Sequence, residues 1–288
     1  MTSPLVSVLT PSFNQARWLG DNLRSVAEQS YTNVEHIVMD GGSTDGSLEM
    51  LRNAGAAVRW RSEPDRGQSH ALNKAFAEST GEIIGWLNSD DAYFDTEAVA
   101  AAVRIFAMHP EVDLVYGHAA LVNADGLILQ LMWTPPFHYG LLRRSNFIVQ
   151  PTAFVRRSAI TGLFADESFD YMMDRELWLR LGKDSQARRL NRIVAIDRHH
   201  LARKAYTRLD LAEADGKRLV QMYGVPASGR HEWRLKAINV CFRLVGASLL
   251  RAACRPVVFS GGVDNYWRLA WRQIAVKRAT MPPEGGLR

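Results

Sequence analysis

Apolar runs alternate with helical patterns along the first third of the chain. Four short apolar runs are each closed by turn-forming residues and followed by a segment in which apolar residues recur at helical spacing. The runs are Leu5–Leu9, Val34–Met39, Ala57–Trp60 and Gly81–Leu87. Four strand–helix units in succession predict an α/β fold with a mostly parallel sheet and helices on both faces.

The four predicted strands end in polar, turn-forming segments. Because the carboxyl ends of parallel strands meet at one edge of a sheet, we expect these segments to line a common ligand crevice. The segments are Pro11–Asn14, Asp40–Asp45, Glu63–Gly67 and Asn88–Asp91.

The pattern changes after Pro110. We predict a strand over Val112–Tyr116 and Ala119–Val122, a hairpin to Leu127–Met132, a strand over Val149–Val155 and a short helix over Asp174–Leu181. Asp125-Gly126 supplies the positive φ angle that a tight hairpin turn needs. We place the end of the compact domain near Tyr206–Tyr223, which gives a domain of residues 1–223.

Composition places the chain among ordinary globular proteins, with 47% hydrophobic and 23% charged residues. The net charge of +5 is unevenly distributed, because residues up to 216 are net acidic by about five charges and the remainder is net basic by about ten. The chain carries no recognisable nucleic-acid-binding motif and its first two-thirds are acidic, so we expect no nucleic-acid partner.

The basic C-terminal part, residues 224–280, is predicted to be helical, and residues 281–288 are predicted to be disordered. Its most apolar segment, Ala237–Leu250, is too short to cross a bilayer. Arginines interleaved with tryptophans suit either peripheral attachment to the inner face of a membrane or packing against protein. Cys241 and Cys254 fit reduced residues of a cytoplasmic protein, and we see no export signal.

Two adjacent carboxylates, Asp90 and Asp91, follow the fourth predicted strand. Hard oxygen ligands at this position suit Mg²⁺ or Mn²⁺, which takes its remaining ligands from water and substrate phosphates. The alternative is a solvated acidic turn that precedes the next helix.

Other strand ends carry further candidate residues. Asp40 precedes a Gly-Gly turn, and its carboxylate is placed either to bind a nucleobase or ribose, or to form an Asx turn. Glu63 and Arg66 belong to a charged loop in which Pro64 and Gly67 suit either a cover over a nucleotide or a plain surface turn.

Asp174 shares a predicted helix face with Leu177, Trp178 and Leu181, so its side chain should face the core or a cleft. A carboxylate shielded from water gains basicity, which makes Asp174 a candidate general base; the alternative is a helix N-cap. His200, after His199, is either a metal or phosphate ligand or a surface histidine.

The chain closely resembles the family 2 glycosyltransferases of the A-type fold over residues 4 to roughly 205. Six motifs in order carry the resemblance: Thr10–Asn14, Asp40–Gly46, Ser62–Gly67, Trp86–Asp91, Gln150-Pro151 and Asp174–Arg180. The resemblance implies a Rossmann-like nucleotide-binding domain and inverting, metal-assisted transfer of a sugar from a nucleotide sugar to a hydroxyl acceptor.

The resemblance also implies roles for individual residues. Asp40 matches the carboxylate that reads the nucleotide base, and Pro11 and Asn14 match the loop beside it. Asp174 matches the catalytic base, although Met173 stands where many members have a second acid. The acidic metal motif falls on Asn88, Ser89, Asp90 and Asp91, with Asp90 as the first choice of ligand and Asn88 at the first acidic position; Arg198 and His200 match an Arg-x-His element that closes over the diphosphate.

The implied enzyme is a hexosyltransferase that uses Mn²⁺ or Mg²⁺ and a nucleotide-sugar donor, with UDP favoured over GDP or dTDP. Its acceptor would be a glycan or lipid-linked hydroxyl in cell-surface polysaccharide or glycolipid synthesis. The alternative is a non-catalytic nucleotide-binding or scaffolding relative, which Asn88 and Met173 would suit.

Overall fold

The computed structural model describes residues 3–201 and 203–224 of the 288-residue chain. The predicted helical region 224–280 beyond Gly224, the predicted tail 281–288, Cys241 and Cys254 lie outside the described residues.

Nine strands form one sheet in the described part of the chain. They are β1 (Val6–Ser12), β2 (Val34–Asp40), β3 (Val58–Ser62), β4 (Ile83–Trp86), β5 (Ala92–Tyr93), β6 (Val112–Asn123), β7 (Ile128–Met132), β8 (Phe154–Arg156) and β9 (Gln186–His199). The helices are α1 (Ala16–Ala27), α2 (Ser47–Asn53), α3 (Gln68–Glu78), α4 (Ala98–Met108), α5 (Tyr139–Leu142), α6 (Met173–Gly182), α7 (Lys204–Thr207) and α8 (Leu209–Tyr223).

The strand order is β3-β2-β1-β4-β8-β6-β9-β5, with β7 paired to β6. The first four strands pair only in parallel with one another, as predicted. From β4 onward the sheet is mixed, because β8 pairs antiparallel with both β4 and β6, whereas β6 and β9 are parallel. The parallel half of the sheet therefore ends at β4, the strand that leads to Asn88–Asp91.

Helices cover both faces of the sheet, which confirms the prediction. In β1, Leu9 packs with Leu72 of α3 and with residues of α6, whereas Val8 faces the opposite side and packs with Val99 and Phe106 of α4. This alternation follows from the two-residue period of a strand. Helix α6 therefore lies on the same face of the sheet as α3.

The segment Val149–Val155 departs from the predicted strand. Its first part is a 3₁₀ turn over Gln150–Thr152, and only Phe154–Arg156 forms a strand. Pro151 has no N–H for a strand ladder, and the side chain of Gln150 donates to the carbonyl of Trp86 at 2.6 Å. The turn brings Gln150 to the end of β4.

Candidate active site

A cavity of about 610 Å³ lies at the carboxyl ends of β1 and β4, beside the first turn of α6. Its lining comes from two stretches of chain. The first supplies Pro11, Ser12, Phe13, Gln15, Asp65, Gly67, Gln68, Ala71, Trp86, Asn88, Ser89 and Asp90, and the second supplies Asn146, Gln150, Tyr171, Met172, Met173, Asp174, Arg175, Arg203 and Lys204. Three of the four predicted strand-end segments therefore contribute directly to one site.

Asp90 and His200 form a close pair at this cavity. Oδ2 of Asp90 lies 2.9 Å from Nε2 of His200, although the residues are 110 positions apart in the chain. Strand β5 explains the approach, because its Ala92 pairs with Ile196 of β9 and so places the ends of β4 and β9 side by side. The ring of His200 also packs on Trp18, with 3.9 Å between ring centroids.

Asp91 and Arg198 lie behind this pair and not on the cavity wall. The carboxylate of Asp91 is buried and accepts the backbone N–H of Arg198 at 2.9 Å. The Arg198 side chain donates to the carbonyl oxygen of Asp90 at 2.9 Å and to Oδ2 of Asp21 at 2.9 Å. Burial, with Asp90 and Asp197 nearby, raises the pKa of Asp91 well above its usual range. Both side chains are thus engaged by protein groups outside the cavity lining, and their expected contacts with metal or diphosphate stay a prediction.

Asn88 is fully engaged by neighbouring side chains. Its Oδ1 accepts from Gln68 at 2.7 Å and from the indole N–H of Trp86 at 2.8 Å, and its amide donates to Oε1 of Gln150 at 2.8 Å. An aspartate at position 88 could not donate to Gln150. The amide of Asn88, at an acidic position of the motif, therefore matches its hydrogen-bond partners. The neighbouring Ser89 is buried and lines the cavity.

Asp40 is directed into its own turn and does not line the cavity. Oδ2 accepts from the N–H groups of Gly42 and Ser43 and from the hydroxyl of Ser62, and Oδ1 accepts from the hydroxyl of Ser43. Four hydrogen bonds use the acceptor capacity of a carboxylate. The Asx turn, one of the two alternatives for this residue, is therefore formed, and the carboxylate is buried.

Glu63 and Arg66, predicted to belong to a loop that covers a nucleotide, are not among the residues that line the cavity. Glu63 pairs with Lys74 of α3 at 2.9 Å, and Arg66 pairs with Glu167 at 2.7 Å. Asp65 and Gly67 of the same loop line the cavity instead. Gly67 has φ of 114°, a backbone conformation that favours glycine and directs the chain into α3.

The loop after β1 contributes an exposed aromatic ring. Phe13 lines the cavity and is 58% exposed, which is unusual for a large apolar side chain beside a buried strand. Asn14, with φ of 52°, accepts the N–H of Thr44 on its side chain and donates its backbone N–H to Ser43. Asn14 thus connects the β1 and β2 loops, while Pro11 lines the cavity.

Asp174 lies on the cavity wall in the first turn of α6, with Leu177, Trp178 and Leu181 buried on the core side of the helix. Met172 is the N-cap residue, so the N-cap alternative for Asp174 is wrong. Burial raises the pKa of Asp174, while the side chain of Asn146 donates to Oδ2 at 3.0 Å and acts in the opposite direction. A half-shielded carboxylate of raised pKa is suited to accept a proton.

Arg203, Lys204 and Asp215 are among the residues of this region that sequence reasoning missed. Arg203 and Lys204 line the cavity just beyond the Arg198–His200 element. Arg203 pairs with Asp197 at 2.7 Å, and Lys204 donates to the carbonyl of Asp170 at 3.1 Å. Asp215 of α8 accepts the N–H groups of Asp170, Tyr171 and Met172 on a single oxygen, at 2.7–3.1 Å. A basic pair following Arg-x-His was a usable signal for the first two, whereas nothing local marks Asp215.

Asp90 and His200 could hold a divalent cation. A carboxylate oxygen and an imidazole nitrogen suit Mn²⁺ or Mg²⁺ when water and substrate phosphates complete the shell. Within residues 3–201 and 203–224 there is no cluster of three or more His, Cys, Asp and Glu side chains arranged to hold a metal ion. The residues present therefore fit an open site with two protein ligands.

A family model described as Glycosyl transferase family 2 matches residues 7–163, more than half of the chain. The protein is a member of glycosyl transferase family 2. This confirms the resemblance noted in the sequence.

Curated relatives of this family 2 glycosyltransferase include an uncharacterized glycosyltransferase of Mycobacterium tuberculosis, 38% identical over 120 residues, which are 41% of this chain and 46% of the relative. A PGL/p-HBAD biosynthesis glycosyltransferase of the same species is 28% identical over 168 residues, 57% of this chain and 62% of that relative. The matched region thus spans about half the length of the first of these relatives.

Two solved structures share the fold. Residues 1-349 of TarS from S. aureus, in complex with UDP-GlcNAc, align with a TM-score of 0.58 and 18% identity, over 68% of this chain and 59% of that one. The mannosyltransferase PcManGT from Pyrobaculum calidifontis, in complex with GDP-Man and Mn2+, aligns with a TM-score of 0.54 and 21% identity, over 98% of this chain and 77% of that one. The predicted A-type fold is confirmed. None of the helices described for this glycosyltransferase has the length and apolar character needed to cross a bilayer.

Proposed function

We propose that this family 2 glycosyltransferase transfers a sugar, with inversion, from a nucleoside-diphosphate donor to a hydroxyl acceptor. One observation carries the proposal: Asp90, paired with His200, and Asp174 line the same cavity but come from separate parts of the fold. Such a reaction needs a group that stabilises the leaving diphosphate and a base that activates the acceptor hydroxyl.

The donor is proposed to lie along β1 and β4. The exposed ring of Phe13 offers a stacking surface for a base, and Arg203 and Lys204 are placed to compensate phosphate charge. Asp90 and His200 would hold Mn²⁺ or Mg²⁺, which when bound supplies Lewis-acid stabilisation of the departing diphosphate. We favour UDP as the carrier, in line with the TarS complex with UDP-GlcNAc, and the GDP-Man complex of PcManGT makes GDP the first alternative.

Asp174 is proposed as the base. Its carboxylate takes the proton of the acceptor hydroxyl, the acceptor oxygen forms a bond to the anomeric carbon, and the bond from that carbon to the diphosphate oxygen breaks. Burial of Asp174 favours this proton transfer because it raises the pKa of the carboxyl group. Attack on the face opposite the leaving group inverts the anomeric centre.

We further propose that the protein works in the cytoplasm on glycan or lipid-linked acceptors, with its basic C-terminal residues at an anionic membrane surface. The sequence supports this through the arginines and tryptophans of residues 228–288. The test is sedimentation with anionic liposomes of the full chain and of a chain that lacks residues 228–288. Equal binding of the two would eliminate the membrane proposal.

The function is tested by calorimetric titration of UDP, GDP and dTDP into the full chain, with and without Mn²⁺, and into Asp90→Ala. We expect metal-dependent binding of one nucleotide that is lost in the variant. Asp174→Asn should retain nucleotide affinity but lose turnover by about 10²–10⁴-fold, the usual contribution of a general base. Absence of nucleotide binding would remove the donor site, whereas binding with no transfer by the wild-type protein would indicate a non-catalytic relative.

A further inference from the structure

Arg175 follows the proposed base directly and also lines the cavity. Its Nη2 donates to the main-chain carbonyl of Arg143 at 3.2 Å, while its Nε is buried with no hydrogen-bond partner among the described residues. Within that part of the chain, no carboxylate lies within ion-pair distance of its guanidinium group. The Arg175 side chain thus has unused hydrogen-bond donors at the wall of the cavity.

Five other shielded arginines of the fold are better partnered, although Arg143, outside the cavity lining, also has a buried Nε with no partner among the described residues. Arg180, Arg192 and Arg198 each pair with a carboxylate. Arg156 and Arg157 lack a carboxylate in these contacts, yet each donates to two acceptors. A desolvated guanidinium with five N–H donors and one long hydrogen bond is costly unless another oxyanion completes it.

We infer that Arg175 forms an oxyanion subsite for the acceptor, so that the substrate class is a hydroxyl compound with a phosphate or carboxylate near the reacting hydroxyl. The inference rests on the proposed function, because it takes Asp174 as the base that meets the acceptor. Arg175 is the next residue in the same helical turn, whereas Arg203 and Lys204, the cations assigned to the donor, come from the segment after β9.

Burial supports the assignment, because it lowers the pKa of Arg175, and the negative charge of the nearby Asp174 only partly offsets that lowering. A neutral acceptor would supply no charge to offset this burial. A phosphate or carboxylate matches its planar fork with two parallel N–H donors, which is why arginine is used for such groups.

The test compares matched charged and neutral probes. Methyl glucuronide against methyl glucoside examines a carboxylate, and glycerol 3-phosphate against glycerol examines a phosphate. Binding is measured by calorimetry on the free full-length protein and on protein saturated with nucleotide and Mn²⁺. The variants are R175Q, R175K and the control R144Q, which removes one charge at an exposed position outside the cavity lining.

We expect one charged probe to bind wild-type protein and R144Q roughly 10–100-fold more tightly than its neutral partner, the range for a charge-assisted pair. R175Q should lose this preference, and R175K, which keeps the charge but not the fork, should fall between. The probe that shows the preference identifies the oxyanion as carboxylate or phosphate.

Three results would overturn the inference. The first is equal binding of charged and neutral probes to wild-type protein, which is decisive even if R175Q does not fold. The second is an unchanged preference in R175Q, and the third is a loss of nucleotide affinity in R175Q, which would place Arg175 on the donor. If wild-type protein does not bind nucleotide, that result counts against the proposed function. The probe titrations on nucleotide-free protein are a separate measurement and test the Arg175 subsite alone.

Discussion

The side-chain amide of Asn146 donates a hydrogen bond to Oδ2 of Asp174 at 3.0 Å. Asn146 lies in the loop after α5, and Asp174 lies in the first turn of α6. The amide stabilises the ionised form of a carboxylate that burial otherwise makes more basic. A second acid beside Asp174 would act in the opposite direction, because a neighbouring negative charge disfavours ionisation.

Asn146→Ala should make the proposed base harder to ionise. Loss of a donor to the charged form raises the pKa of Asp174, so the acid limb of the kcat/KM profile should move to higher pH. Below the limb, the rate should fall by about threefold to tenfold, the worth of one hydrogen bond. Nucleotide release measured across pH tests this, with Ser145→Ala as the adjacent control. An acid limb that does not move would separate Asn146 from the ionisation of Asp174.

The pair Asp90 and His200 should behave as one unit in donor binding. Asp90→Asn and His200→Gln should each weaken metal-dependent nucleotide binding by roughly tenfold or more, since contacts to charged groups contribute about 1.5–3 kcal/mol. Because both residues act on the same ion, the double variant should bind nucleotide almost as tightly as the single variant with the lower affinity. The coupling energy between the two substitutions should be about 1–3 kcal/mol. Calorimetry on the four proteins gives the cycle, and His109→Gln, remote from the cavity, controls for histidine removal. Additive losses would contradict a shared ligand.

Asp215 should control the order of the loop before α6. Asp215→Ala removes the acceptor of three N–H groups and should lower the free energy of unfolding by about 2–4 kcal/mol. Hydrogen exchange at Asp170, Tyr171 and Met172 should speed up in the variant, while amides of β1 and β2 keep their protection relative to global unfolding. Glu213→Gln, on an exposed part of the same helix, should leave both measurements unchanged. Unaltered exchange at the three amides would show that Asp215 does not hold the loop.

The buried His36 should make the protein sensitive to mild acid. Burial lowers its pKa from 6.5 to about 3, and its Nε2 lies 2.9 Å from the hydroxyl of Thr10. Below pH 6.5 the imidazole is protonated in the unfolded chain but stays neutral in the folded chain until the pH nears 3. The free energy of unfolding therefore falls as pH decreases, by about 1.4 kcal/mol per pH unit for this site.

Urea unfolding of His36→Gln at pH 7 and pH 5 isolates this effect. The variant should lose about 2 kcal/mol less than wild-type protein between the two pH values. Thr10→Val is the control, because it removes the hydrogen-bond partner but keeps the imidazole, and it should retain the wild-type pH dependence. Equal pH dependence in His36→Gln and wild-type protein would mean that His36 is protonated in the folded state.

The parallel half of the fold was predictable in its centre because β1 and β4 are buried along their whole length and lead into polar turns. Edge strand β3 is largely exposed and carries Arg59 and Arg61, so the turn and helix pattern after it identified it more than an apolar run did. Strand β9 was not recognised, because Arg188, Arg189, Asn191 and Arg192 interrupt its apolar pattern. Its identity as a strand depends on parallel pairing with β6, which no local pattern encodes.

The candidate site was predictable at the level of segments and less so at the level of side chains. Convergence of strand ends correctly brought Asp90 and the β1 loop together, and the helical face correctly directed Asp174 to a cleft. Asp40 and Arg198 were placed wrongly on the cavity because their partners decide their direction. Asp40 meets local N–H groups of its own turn, and Arg198 meets Asp21, 177 residues away.

The division of the cavity between two stretches of chain has a consequence for how such proteins diverge. Every lining residue up to Asp90 precedes β6, and every other lining residue follows β7. A single crossover in the gene, between β6 and β7, would therefore exchange the whole wall that carries Asp174 and Arg175 and leave the other wall intact. The same crossover would take Asp90 from one parent and His200 from the other, so a recombinant keeps that pair only when the first parent has aspartate at position 90 and the second has histidine at position 200.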